Sequence, residues 1–408
     1  MGQIGNLKSW TTNMNSARQL NIGPFQSDVL DLSRWLAAFL VVAEHLRSLL
    51  FADHGQPGAL GGAGWKVFYF FTHFGHFAVM VFFVMSGFLV GGKVLERLAL
   101  GNFTWQKYAV DRISRLYAVY LLALLVGGAF DSLGYLHFND FGLYDHTSSG
   151  RIASASWNYH ATLSLQTLGV NLIMCQTILG PVFGSNGPLW SLANEAWYYL
   201  LGPLAFVLVF GRETVRRLLG FVGFAAVLWF LPGPIRLYAL IWLLGALLYF
   251  VNHRRLVPLW LALILLGAAL TIARMEWFGD AVVQDFLIGI SFALVINSAA
   301  GPGRRLPGNR WSRAAANCSY SVYLCHFPFL VFVYSVLFHL GVVRYPGAAA
   351  PKYIVLYALL LVLVLGWCYL ISLATERQTP RIRSWLTQQL IRKPQIMSSP
   401  VPRPRDLT

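Results

Sequence analysis

An all-α protein crossing a membrane about ten times is the fold class this sequence predicts. Three observations lead there. Of its 408 residues, 57% are hydrophobic and 12% are charged, against about 25% charged in soluble domains. Apolar runs of spanning length recur along the whole chain, the signature of one polytopic domain. The basic residues between those runs alternate in density, as the positive-inside rule requires of membrane loops.

The elements follow in order. The segment 1–27 is polar and lacks the pattern of a cleaved signal, so it is expected to be cytoplasmic, with the first span acting as an uncleaved anchor. Apolar runs then occupy 29–51, 67–92, 112–130, 188–211, 215–231, 235–251, 256–273, 281–299, 316–340 and 353–374. An eleventh run, 161–183, holds Gln166, Asn171, Gln176 and two glycines. The charge asymmetry decides its role. With the N-terminus inside and 161–183 not crossing, twenty-three Lys and Arg residues fall on the cytoplasmic side and six outside. Letting 161–183 cross inverts every later loop and destroys the bias. The expectation is ten spans, both termini cytoplasmic, and 161–183 as a re-entrant or interfacial helix within an outer segment 131–187.

The transmembrane unit is thus expected over 28–376, followed by a cytoplasmic, partly disordered tail over 377–408, polar and proline-rich from Lys393 onward. The net charge of +15 lies mainly on a cytoplasmic rim facing anionic lipid and anionic metabolites, which argues against nucleic acid as its partner. Cys175, Cys318, Cys325 and Cys368 have no metal-type spacing and are read as reduced thiols. No internal repeat of the kind used by inverted-repeat transporters is visible.

Ionisable residues inside spans are the functional candidates, because each costs about 2.5–3.5 kcal/mol at a helix centre on insertion scales. Arg34 and His45 occupy one span, VLDLSRWLAAFLVVAEHLRSLLF. Eleven positions apart, they share a helix face and lie about 16 Å apart along the axis at ~1.5 Å per residue. A neutral His45 can serve as a general base on a hydroxyl or as a hydrogen-bonding link between helices. Glu44 is placed either to orient His45 or to pair with Arg47.

In the second span, Ser86 and Gly87 permit close helix approach or expose backbone to a ligand. His73 and His76 at its outer end are spaced for a metal but lack a third ligand, so they read as interfacial histidines and no metal is predicted. Arg112 and Arg115 open the third span. They are anchors of the positive-inside kind or a bidentate phosphate grip, with Asp111 offsetting part of their charge.

Glu195, two turns into the fourth span, needs a partner. His45 is one candidate, and a carboxylate beside the ring raises its basicity; Arg236 and Arg47 are the others. Trp190 beside it fits an interface anchor, and Ser191 follows. The ninth span carries Tyr323 and His326 three residues apart, lining a polar path or linking helices. Together Arg34, His45 and Glu195 also suit a proton-coupled transporter or a glycan-flipping protein, so transport is the competing class.

Six segments, in this order, resemble the acyltransferase-3 family of integral membrane O-acyltransferases: Arg34 with His45; FFVMSGFLVG at 82–91; Arg112 with Arg115; LWSLANEAWYY at 189–199; RLYALIWLLGALLY at 236–249; and SYSVYLCHFP at 319–328. The resemblance implies transfer of an acyl group, usually acetyl from acetyl-CoA, onto a hydroxyl of a carbohydrate or other small acceptor. Under it, His45 is the catalytic base with Arg34 and Glu195 as companions. Arg112, Arg115 and Ser86 hold the acyl-CoA cosubstrate, and Trp190, Ser191, Tyr323 and His326 line the substrate path. One departure is Thr375-Glu376-Arg377-Gln378, where many members end the last span in Glu-Arg-Pro. Some members carry an extra hydrolase-like domain for which this chain has no room, so it is expected to act alone or with separate glycan-assembly partners. The resemblance also implies a bacterial cytoplasmic (inner) membrane. Direct transfer and an acetyl-His45 intermediate both fit.

Overall fold

The computed structural model describes residues 19–53, 59–145, 158–275, 277, 279–344 and 353–391. The expectations for most of segment 1–27 and for the tail beyond residue 391 lie outside them. The described residues hold no strand, only one isolated bridge between Gln176 and Gly180.

The helices are α1 (Pro24–Leu50), α2 (Ala63–Phe71), α3 (Gly75–Ser86), α4 (Gly92–Ala99), α5 (Trp105–His137), α6 (Tyr159–Thr162), α7 (Leu165–Leu172), α8 (Leu189–Phe210), α9 (Thr214–Phe230), α10 (Gly233–Val251), α11 (Leu259–Arg274), α12 (Ala281–Ser298), α13 (Asn309–Ala316), α14 (Ser319–His339), α15 (Tyr353–Ala374) and α16 (Thr379–Leu390). A π-helical turn, Gly87–Gly91, joins α3 to α4, and a 3₁₀ turn, Glu376–Gln378, joins α15 to α16.

Among the described residues, seven stretches are long and apolar enough to cross a membrane: Ala63–Ala99, Trp105–His137, Leu189–Phe210, Gly233–Val251, Ala281–Ser298, Ser319–His339 and Tyr353–Leu390. The ten runs in the sequence also include α1, α9 and α11. The first carries Asp28, Asp31, Arg34, Glu44 and Arg47; the other two have 17 and 16 residues.

Local chemistry sets the ends. Pro24 opens α1 at the position where a missing N–H costs nothing. Asp280 caps α12 by accepting from the Val282 N–H at 2.8 Å. The run 161–183 is not one helix. The polar residues that disqualify it as a span tie it into turns: Asn171 Nδ2 donates to the carbonyls of Thr167 (2.8 Å) and Pro181 (3.0 Å) and its Oδ1 accepts from the Phe183 N–H, while Gln176 donates to Leu189 O. α5 continues to His137, into the stretch expected as the outer segment, and buries Asp131 against the N–H (2.6 Å) and hydroxyl (2.7 Å) of Ser185.

Packing places the site. α1 lies against α3, α13 and α14; α5 against α14 and α16; α10 against α3 and the π turn. The last contact is very close. A Cβ on Gly87 would run into the carbonyl of Trp242, and one on Gly245 into that of Val84. Small residues here let two helix backbones meet, as in membrane helix pairs generally. The four cysteines are buried and free.

Candidate active site

A cavity of about 490 Å³ opens between α1, α3, α5, α8, α14 and the Glu376–Arg383 segment. Arg34, Ser86, Arg112, Arg115, Ser191, Glu195 and Tyr323 all line it. Seven of the ten residues singled out in the sequence therefore converge from five helices. Trp190, His45 and His326 lie outside the lining.

One end is basic. Arg34, Arg112, Arg115 and Arg383 face Asp111, Glu195 and Glu376 around it. Most of these arginines are engaged: Arg34 with Asp31 at 3.5 Å, Arg115 with Glu376 at 3.4 Å, and Arg383 with Asp111 at 3.9 Å. Arg112 has no carboxylate partner among the described residues. Its guanidinium sits 5.5 Å from the Tyr199 ring centre and 5.9 Å from that of Tyr108, and its buried Nε has no hydrogen-bond acceptor. A half-buried cation held by aromatic faces with an unused donor is an arrangement suited to an anionic ligand.

The middle of the cavity carries a hydrogen-bond chain. Trp242 Nε1 donates to Ser86 Oγ (3.1 Å), Ser86 Oγ to Tyr199 OH (3.2 Å), and Tyr199 OH to Glu195 Oε1 (2.6 Å). Ser86 lines the cavity at the residue before the π turn; such wide turns recur at functional sites. Tyr108 OH fixes the same region by donating to Tyr199 O at 2.7 Å.

At the far end Ser191 Oγ and Tyr323 OH lie 2.6 Å apart. One helical turn beyond Tyr323, about 4.5 Å at ~1.5 Å per residue, His326 meets His45. The rings are 10° from parallel, with Nδ1 of His45 2.8 Å from Nε2 of His326. The tautomers follow from the outer partner. His326 Nδ1 lies 2.8 Å from Val322 O, and a carbonyl only accepts, so this nitrogen carries the proton. Neutral His326 then offers Nε2 as an acceptor, and His45 Nδ1–H donates to it. The lone pair of His45 is left on Nε2, which has no hydrogen-bond partner among the described residues. The Val322 carbonyl, acting through His326, thereby fixes which nitrogen of His45 is basic.

Two expectations are corrected. Glu195 does not support His45: Tyr199, one turn on along the same face of α8, satisfies its carboxylate, and the partner of His45 is His326 from α14. Glu44 neither orients His45 nor pairs with Arg47; it accepts from the Gly75 N–H at the start of α3, and Arg47 reaches Asp53 at 2.7 Å.

Tyr199, Tyr320 and Glu376 were not singled out. Tyr199 had a signal, four residues after Glu195. Glu376 lies in the departure noted at the last span, where it takes the Ser321 N–H (3.1 Å) and Arg115. His73 and His76 do not share a ligand: His76 pairs with Asp285, and His73 lies 3.5 Å from Arg47.

The chain is similar to known proteins along most of its length. The acyltransferase domain model of the acyltransferase-3 type matches residues 28–373. The acyltransferase MdmB of Streptomyces mycarofaciens is 29% identical over 189 residues, 45% of this chain and 40% of that protein. An uncharacterized protein of Haemophilus influenzae is 29% identical over 132 residues, 32% of this chain and 49% of that protein. The chain thus spans less than half the length of these curated relatives. No solved structure matches.

Proposed function

The chain belongs to the acyltransferase-3 family of membrane acyltransferases, and from that premise we propose that it moves an acetyl group from acetyl-CoA onto a hydroxyl of a carbohydrate acceptor, a surface polysaccharide or lipid-linked glycan. The observation carrying the donor assignment is Arg112, a cation without a carboxylate partner among the described residues, at the basic end of a cavity of about 490 Å³. The CoA phosphates bind there, with Arg115 adding a second charge. The pantetheine arm extends past Ser86 and Glu195 toward Tyr323.

At that end His45 Nε2 takes the proton of the acceptor hydroxyl. The hydroxyl oxygen bonds to the thioester carbonyl carbon, the C–S bond breaks, and the thiolate leaving group recovers the proton from the imidazolium. The Ser191–Tyr323 pair stands between cavity and imidazole and opens toward the reacting atoms. Arg34, at the donor end, balances negative charge on CoA. In the acetyl-His45 variant, the same Nε2 bonds to the thioester carbonyl carbon, the C–S bond breaks to release CoA thiolate, and the acceptor oxygen then takes acetyl from Nε2 as its proton passes to the thiolate.

This reading takes the ten-span arrangement with both termini cytoplasmic, in a bacterial inner membrane, so that CoA binds from inside. Its test is release of free thiol from acetyl-CoA by the purified chain when cell-envelope glycans are added. Glycan-dependent release supports it. Substrate uptake into proteoliposomes without thiol release moves the assignment to a transporter.

A further inference from the structure

Outside the cavity, four helices bring side chains to a second imidazole. His76, at the start of α3, is 45% exposed, while its partner Asp285 on α12 is fully buried. His76 Nε2 lies 3.0 Å from both carboxylate oxygens, and Tyr238 on α10 donates to Oδ2 of the same carboxylate at 2.9 Å. The Trp190 ring from α8 lies 6.2 Å from the His76 ring at 14° to it and 6.2 Å from Tyr238.

A carboxylate facing Nε2 fixes the proton there and leaves the lone pair of His76 on Nδ1. Nδ1 has no hydrogen-bond partner among the described residues. Two anchors on a buried carboxylate are more than a helix link requires when the anchored ring itself stands in the open. The group is also continuous with the cavity wall: Phe83, which lines the cavity, packs edge-on against Trp190, and Ser191 is the next residue. Glu44, the neighbour of His45, holds the N–H of Gly75, the neighbour of His76.

We propose that His76, Trp190, Tyr238 and Asp285 form a saccharide subsite, in which His76 Nδ1 accepts from a sugar hydroxyl and the Trp190 ring meets the C–H face of the sugar. An aromatic surface beside one fixed polar atom suits a neutral polyhydroxylated ring. Asp285 and Tyr238 position the imidazole and do not touch the ligand. The inference rests on the acyltransferase reading only for the identity of this ligand as the acceptor.

The test uses the full chain in lipid nanodiscs with millimolar methyl glycosides of glucose, galactose, mannose and rhamnose, observed by saturation-transfer NMR. At least one glycoside shows transfer to its ring protons, reduced fivefold or more by His76→Ala and by Trp190→Ala. Asp285→Asn, a smaller change that keeps an acceptor for Tyr238, weakens the signal as well. Stabilisation by CoA is measured in parallel and stays at the wild-type level in all three variants. Absence of transfer from every glycoside, or transfer undiminished in His76→Ala, overturns the subsite. Glycoside binding without CoA stabilisation in the wild type overturns the donor assignment and leaves the subsite standing.

Discussion

Replacing Arg112 with Gln removes a cation that has no carboxylate partner among the described residues, so its effect falls on ligand binding and not on the fold. One hydrogen bond to a charged group is worth about 1.5–3 kcal/mol, and at about 1.4 kcal/mol per tenfold the loss is roughly 10- to 150-fold in CoA affinity. The variant keeps the wild-type thermal midpoint without ligand, because only the ring contacts to Tyr108 and Tyr199 are lost. Arg115→Gln behaves differently. It strands the buried Glu376 carboxylate, whose remaining described partner is Ser321, and lowers the midpoint as well as the affinity. Adding Glu376→Gln to Arg115→Gln restores the midpoint and not the affinity. The assay is calorimetric titration with CoA alongside unliganded thermal unfolding. Wild-type CoA affinity in Arg112→Gln refutes the reasoning, as does a fall in stability equal to that of Arg115→Gln.

Three other outcomes are expected. His326→Phe removes the acceptor that fixes the His45 tautomer and lowers kcat tenfold or more with KM for acetyl-CoA unchanged, measured by steady-state thiol release; an unchanged kcat contradicts the tautomer argument. Gly87→Ala drives a methyl into the Trp242 carbonyl and destabilises by about 1–3 kcal/mol, the usual range for overpacking, read from thermal unfolding. Asp131→Asn leaves one of the two Ser185 donors without its acceptor and costs about 1–3 kcal/mol, with CoA affinity untouched.

The parts of the site visible in the sequence are those marked by cost. Arg34, Arg112, Arg115 and Glu195 stand out because charge in an apolar run needs a reason, and all four line one cavity. The helical content was legible for the same reason, from apolar runs of spanning length. Pairings between distant helices were not. His45 and His326 are 281 positions apart, and their meeting depends on how α1 and α14 rotate against each other, which an apolar run does not encode. Asp285 escaped notice although it sits one turn into an apolar helix; the cost argument applied to it equally, and its partner His76 lies 209 positions away. Glu195 was visible as a residue but not in its hydrogen bond, which needed the orientation of Tyr199.

The central claim, acyl transfer through His45, is tested most directly by mass analysis of O-acetyl groups on cell-surface glycans from cells making the wild type or His45→Ala at equal membrane levels. The account predicts O-acetylated glycans with the wild type and none with His45→Ala, while the purified variant is still stabilised by CoA. Full O-acetylation by His45→Ala contradicts both the direct transfer and the acetyl-histidine route.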